Sequence, residues 1–149
     1  MLRAEGLYSS PSGVDPDRYG GVVTGNAYGI AAAPMPTHGT LLLFPDASSI
    51  NRMVSVVSDL SGGGRGIFAG FVSAGFDPVP DRLTTTVGAA SASTADGVPW
   101  GTEANLRVAF RPLPGCDVAV SGATVAPGEA SGLTSAPWAA HLSLDWLVF

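Results

Sequence analysis

The last nine residues, 141–149, read HLSLDWLVF and carry the clearest structural pattern in the chain. Leucine, leucine, tryptophan and valine occupy the even positions 142 to 148, and His141, Ser143 and Asp145 alternate with them. Successive side chains of a β-strand point to opposite faces of a sheet, so a two-residue period indicates a strand. The segment predicts a strand with its apolar side turned to the core and its polar side turned to water.

The same alternation occurs in segments 105–111 and 82–87, where apolar residues or threonine again occupy one face. Segments 40–44 and 66–72 are nearly continuous apolar runs, which are typical of strands covered on both faces. Weaker strand signals lie at 2–8, 21–24, 28–32, 117–121 and 123–126. The residues expected to form the core are Leu106, Val108, Phe110, Leu142, Leu144 and Trp146.

Turn residues divide the chain at frequent intervals, with 20 glycines and 12 prolines. Short strands between such turns predict an all-β fold, an antiparallel β-sandwich or jelly roll, in one domain over residues 1–149. Apolar residues at helical spacing predict one short helix near residues 47–60, with an edge strand over 52–58 as the alternative. The small residues of 88–97 predict a long surface loop.

Composition narrows the classes of function. The 149 residues are 46% hydrophobic and 13% charged, with a net charge of -5, which suits a single folded domain. The seven basic residues are all arginine and are scattered, so we expect no nucleic-acid partner. No apolar run reaches the roughly 18 to 20 residues of a membrane-spanning helix, and the N-terminus lacks an export signal, so we expect no membrane partner.

Motifs for catalysis or for cofactor binding are weak. His38, His141 and Cys116 lack the local signatures that surround catalytic nucleophiles and bases. Residues 15–20 match only the beginning of a calcium loop, and the glycine-rich run 61–66 lacks the lysine of a phosphate-binding loop. We therefore expect no enzymatic activity, no cofactor and no metal.

Two of the three tryptophans follow proline in turns, in VPW at Trp100 and in APW at Trp138. Aromatic residues on proline-fixed loops are often anchors at an interface with a partner. The alternative is that they close the ends of the sandwich. The candidate interface residues are Asp96, Pro99, Trp100, Pro112, Pro114 and Trp138.

Three segments together carry a resemblance to a known class: GTLLLFPDASS at 39–49, RGIFAGFVSAGFDPVPDRLTT at 65–85, and the final strand. They resemble the jelly-roll and related β-sandwich proteins of virus particles. The chain has no basic arm for a packaged genome, and is in this respect most similar to phage capsid decoration, or cement, proteins. The resemblance implies a structural virion component on the capsid surface, made in the host cytoplasm, with the major capsid protein as partner and a homo-oligomer, preferably a trimer, as the assembled form.

A second hypothesis is a carbohydrate- or receptor-binding β-sandwich module of a tail or fibre. In that case Trp100 and Trp138 would stack on sugar rings. A shift of intrinsic tryptophan fluorescence on adding glycans would favour this second hypothesis.

Overall fold

A computed structural model describes residues 1–9, 11, 42–43 and 65–146. Within these residues the fold is one antiparallel sheet of six strands that follow one another in chain order. A short 3-10 helix, Glu129–Ser131, lies in the connection between the fifth and sixth strands. The strands are β1 Leu2–Ser9, β2 Ile67–Val79, β3 Leu83–Thr94, β4 Pro99–Leu113, β5 Cys116–Pro127 and β6 Trp138–Trp146.

The prediction of an all-β, antiparallel fold is confirmed. Each described strand pairs with its neighbours along the chain, which is a meander, and the crossovers of a Greek key are not found among these six strands. The predicted helix near 47–60 and the predicted strands at 21–24 and 28–32 lie outside the described residues. No helix among the described residues is long and apolar enough to cross a membrane.

The prediction of a surface loop over 88–97 is wrong for most of its length, because β3 continues to Thr94. Ala90 and Ala92 are buried there and pair with Phe71 and Ala69 of β2. Alanine and serine have low intrinsic strand propensity, but a strand paired on both sides is stabilised by its neighbours. Only residues 95–97 form the turn that precedes β4.

The prediction of a strand at 40–44 fails at its two described residues. Leu42 and Leu43 lie in a bend and are fully buried. They belong to an apolar cluster on one face of the sheet, which we call the core face. The other members of the cluster are Ile67, Ala69, Phe71, Ala90, Ala92, Ala123 and Val125, with Leu7, Trp100 and Ala139 packed against them.

The core predicted from the alternation lies on the wrong side of the sheet. Five of the six predicted core residues are exposed, with Trp146 and Leu142 each 69% exposed, and Val108 is half-buried. Val72 of the apolar run 66–72 is also 49% exposed, so this strand is covered on one face only. The exposed five are Leu106, Phe110, Leu142, Leu144 and Trp146.

A close backbone approach fixes the end of the sheet near the 3-10 helix. The Gly128 N–H donates to the Trp100 carbonyl at 2.9 Å, and a Cβ on Gly128 would lie 2.2 Å from the Pro99 carbonyl oxygen. No rotamer can relieve a clash with backbone. We expect Gly128→Ala to destabilise the fold by about 1–3 kcal/mol, the usual range for overpacking.

The matched control is Gly70→Ala, since a Cβ there would have no heavy atom within 4 Å. Alanine is favoured over glycine within a strand by roughly 0.5–1 kcal/mol, so this variant should be neutral or slightly more stable. Urea denaturation of both variants measures the difference. Equal unfolding midpoints for the two would contradict the close approach at Gly128.

Candidate functional site

The most unusual surface of the molecule is the face of the sheet opposite the core face. It is formed by even positions of β1, β5 and β6, by even positions 68–76 of β2 and 102–110 of β4, and by odd positions of β3, which the strand register places side by side. No described residue on it is charged, and we call it the uncharged face. Its large exposed side chains are Leu2, Tyr8, Phe68, Val72, Phe76, Val87, Leu106, Phe110, Val120, Trp138, Leu142, Leu144 and Trp146.

A group of charged side chains lies on the core face, towards the end of the sheet formed by the β2–β3 and β4–β5 turns. Arg107 and Arg111 of β4, Asp117 of β5 and Asp145 of β6 share this face through the register. Together with the turn residue Arg82 they line a cavity of about 360 Å³. Charge is therefore segregated to one side of the sheet.

One ion pair within that cavity has the two-point geometry of arginine and carboxylate. The Arg111 Nε donates to Asp117 Oδ1 at 2.7 Å and Nη2 donates to Oδ2 at 3.0 Å. The side chains are 53% and 37% exposed, and ion pairs of that exposure contribute little to stability. The cavity holds both arginines and aspartates, so it has no strong preference for an anion or a cation.

Aromatic residues on the uncharged face lie at the ends of its apolar section. Phe68 and Phe76 stand at its two ends on β2, and Trp138 and Trp146 stand at its two ends on β6. Between each pair the same face carries only small or aliphatic residues, such as Leu142 on β6. The register places Phe76 level with Leu142 and Trp138 level with Val72, so the two aromatic lines run obliquely across the strands, with an aliphatic section between them.

The buried side chain of Glu103 holds Leu42 and Leu43 against the core face. Glu103 is fully buried, and its Oε2 accepts hydrogen bonds from the backbone N–H groups of Leu42 at 2.9 Å and Leu43 at 2.7 Å. Its Oε1 accepts from Asn105 Nδ2 at 3.0 Å. One buried side chain thus accepts hydrogen bonds from two buried backbone N–H groups.

The candidate interface residues do not form one site. Asp96, Pro99 and Trp100 lie at or beside the β3–β4 turn, whereas Pro112 and Pro114 lie at the β4–β5 turn at the opposite end of the sheet. Trp100 packs against the core cluster, which matches the alternative of an end-closing residue. Their role as an interface stays a prediction.

Trp138 differs from Trp100 because it is 75% exposed on the uncharged face. Among the candidate interface residues, Pro99 also lies on this face, because it pairs with Ser93. Trp138 stands directly opposite Thr124 of β5 in the register. This exposure leaves the indole available to a partner.

Two of the residues weighed as nucleophile or base lie far apart across the sheet. Cys116 lies on the uncharged face and His141 on the core face, so the sheet separates the thiol from the imidazole. A nucleophile and its base must lie within hydrogen-bond reach of each other. His38 lies outside the described residues. In the described part of the chain, no three His, Cys, Asp or Glu side chains are grouped so that they could hold a metal ion.

The ion pair in the β3–β4 turn has a defined response to pH. Hydrogen bonds from the Thr94 hydroxyl and from the Arg65 guanidinium, at 2.6 Å, hold the pKa of Asp96 below its ordinary value of 3.8. A lowered pKa in the folded state means that the interaction stabilises the fold above the ordinary pKa and is lost as the pH falls through the folded-state value.

We expect an NMR titration of the Asp96 carboxyl carbon to give a midpoint below 3.8. Arg65→Ala should raise that midpoint towards the ordinary value, since it removes one of the two hydrogen bonds and a positive charge. A midpoint at or above 3.8 in the unmodified protein would show that the turn does not hold this ion pair in solution.

Comparisons with family models, with curated proteins and with solved structures found no match to this chain.

Proposed function

We propose that the protein is a structural component of a larger assembly, and that it acts by burying the uncharged face of its sheet against another body. The observation that carries this proposal is a continuous face of six strands without a charged residue, on which Trp138, Trp146 and Leu142 are more than two-thirds exposed. Isolated folded proteins rarely leave an apolar patch of this extent in water. Burial of such a face is the main favourable term in association.

The narrower proposal within this class is the virion component, a phage capsid decoration protein that binds the major capsid protein as a homo-oligomer, preferably a trimer. Its support is the sequence resemblance at 39–49, 65–85 and 141–149. Binding only the assembled shell would stabilise that shell by mass action. The sandwich or jelly-roll arrangement also belongs to this proposal, because the described sheet needs a second apolar layer to complete it.

A glycan-binding module is the second candidate function. The exposure of Trp138 favours it, since an exposed indole can stack on a sugar ring. Trp100 offers no matching platform, because it packs against the core cluster. A shift of tryptophan fluorescence on adding a glycan, abolished by Trp138→Ala and not by Trp100→Phe, would support this candidate over the structural one.

Size-exclusion chromatography with light scattering tests the structural proposal on the whole chain in detergent-free buffer. We expect a mass well above the 15.0 kDa of one chain, because the uncharged face drives association when nothing else covers it. A monodisperse monomer at tens of micromolar that binds no apolar dye would contradict the proposal.

A further inference from the structure

We propose that the body that covers the uncharged face is the hydrocarbon of a lipid bilayer. This inference rests on the broader proposed function, a structural component that buries this face, and it replaces the capsid protein of the narrower proposal as the partner of the face. It departs from the expectation of no membrane partner, which was drawn from the lack of a continuous apolar run. In these strands the apolar residues occupy alternate positions, so no such run forms even where one face is wholly apolar.

The complete lack of charge is the first argument for lipid. Protein interfaces of ordinary size have a polar rim around an apolar centre, and charged residues usually stand in that rim. On the described strands no charge interrupts the uncharged face from β1 to β6, whereas Arg107, Arg111, Asp117 and Asp145 all lie on the opposite face. Hydrocarbon excludes charge across its whole width.

The position of the aromatic residues is the second argument. Phe68 and Phe76 on β2, like Trp138 and Trp146 on β6, are separated by eight residues along their strands. Each pair with the residues between it spans nine residues, roughly 27 Å along the strand, which is close to the roughly 9–11 residues with which a tilted strand crosses bilayer hydrocarbon. Tryptophan and other aromatic residues favour the two boundaries between hydrocarbon and water.

The size of the central side chains argues against a second copy of the chain as the partner. Two sheets that pack face to face fill the space between them with interdigitating side chains. Here Gly70, Ala104 and Gly122 occupy the middle strands of the uncharged face, and its largest side chains stand at strand ends. Fluid acyl chains fill such an uneven surface without matching side chains.

Hydroxyl groups mark where the lipid contact ends near the β3–β4 turn. Ser91 and Ser93 of β3 and Thr102 of β4 lie on the uncharged face there, and the Ser91 and Thr102 hydroxyls are 3.3 Å apart. Polar groups at this end belong in the headgroup region.

The outer edges of β1 and β6 are not paired within the described sheet, so burial of whole strands in hydrocarbon also requires further strands beside them.

The experiment uses the full chain mixed with phosphatidylcholine vesicles during detergent removal. The vesicles carry either ordinary or brominated acyl chains, and bromine quenches tryptophan fluorescence on contact. Two proteins are compared, one that keeps only Trp146 (Trp100→Phe with Trp138→Phe) and one that keeps only Trp100 (Trp138→Phe with Trp146→Phe). Trp100 is the internal control because it packs against the core cluster on the other side of the sheet.

We expect brominated lipid to lower Trp146 fluorescence by at least about twofold and to leave Trp100 fluorescence nearly unchanged. The unmodified chain should float with the vesicles in a density gradient, which tests the proposal without any substitution. Equal quenching of the two tryptophans, or an unmodified chain that stays at the bottom of the gradient, would overturn it.

Size-exclusion chromatography with light scattering distinguishes a failure of the lipid inference from a failure of the structural proposal. An unmodified chain that ignores vesicles but associates in buffer would overturn lipid and keep the structural proposal, with a second copy or another protein on the uncharged face. A chain that ignores vesicles and stays monomeric would overturn both.

Discussion

Replacing Glu103 with alanine is expected to destabilise the fold more than any other single change considered for this protein. The substitution removes the carboxylate oxygen that accepts from the buried N–H groups of Leu42 and Leu43, and it opens a cavity beneath them. Each unsatisfied buried donor costs about 1–3 kcal/mol, so the free energy of unfolding should fall by roughly 2–5 kcal/mol. Urea denaturation of the variant against the unmodified chain measures this loss.

Glu103→Gln separates hydrogen bonding from packing. The amide keeps the volume of the side chain and one acceptor oxygen for the two N–H groups, but its NH₂ group then faces the donor Asn105 Nδ2. We expect it to cost less than half as much as alanine. Thr102→Ala, one position away on the exposed uncharged face, should change stability by less than about 0.5 kcal/mol. If Glu103→Ala were as mild as Thr102→Ala, the buried contact would not exist in solution.

A charge placed on the uncharged face is expected to have the second largest effect. Val87 and Thr84 lie on the same strand, both exposed and both β-branched, but on opposite faces. Val87→Glu puts a carboxylate into the surface that the assembly buries. Thr84→Glu puts the same group beside Arg82, Arg107 and Arg111 in the charged cavity.

We expect Val87→Glu to weaken association, with vesicles or with other chains, by at least about tenfold, which is about 1.4 kcal/mol. Thr84→Glu should leave association within about twofold, because the new charge stays in water near arginines. Sedimentation or flotation over a range of concentrations gives both values. Equal effects of the two variants would show that neither face is specifically covered.

Alternation in the sequence correctly predicted which residues share a face, as in β4 and β6. It could not predict which face the core occupies, because the period is the same whichever side is covered. The core face is covered by Leu42 and Leu43, more than twenty residues before β2, and by the long-range bond to Glu103. Contacts of that sequence separation leave no local pattern.

Other features of the site did have a signal in the sequence. In β4 the charged residues Glu103, Arg107 and Arg111 all stand at odd positions, and so does Asp145 in β6. In both strands, therefore, every charged residue lies on one face. The side without charge could have been recognised as a surface for an apolar partner. The tryptophans were less predictable, since VPW and APW place Trp100 in the core and Trp138 on the surface. The side on which Trp100 lies depends on the register shift between Ala92 and Ser93, which no local sequence motif indicates.

The central claim is that the uncharged face is covered in the native assembly, and thiol labelling tests it most directly. In a Cys116→Ser background, Leu144→Cys and Asp145→Cys place single thiols on neighbouring residues of β6, both exposed in the isolated chain and on opposite faces. A charged maleimide is added to the assembled protein. The account predicts that the thiol at position 144 reacts at least about tenfold more slowly than the thiol at position 145, because a covered thiol is inaccessible to the reagent. Equal rates at the two positions would contradict it.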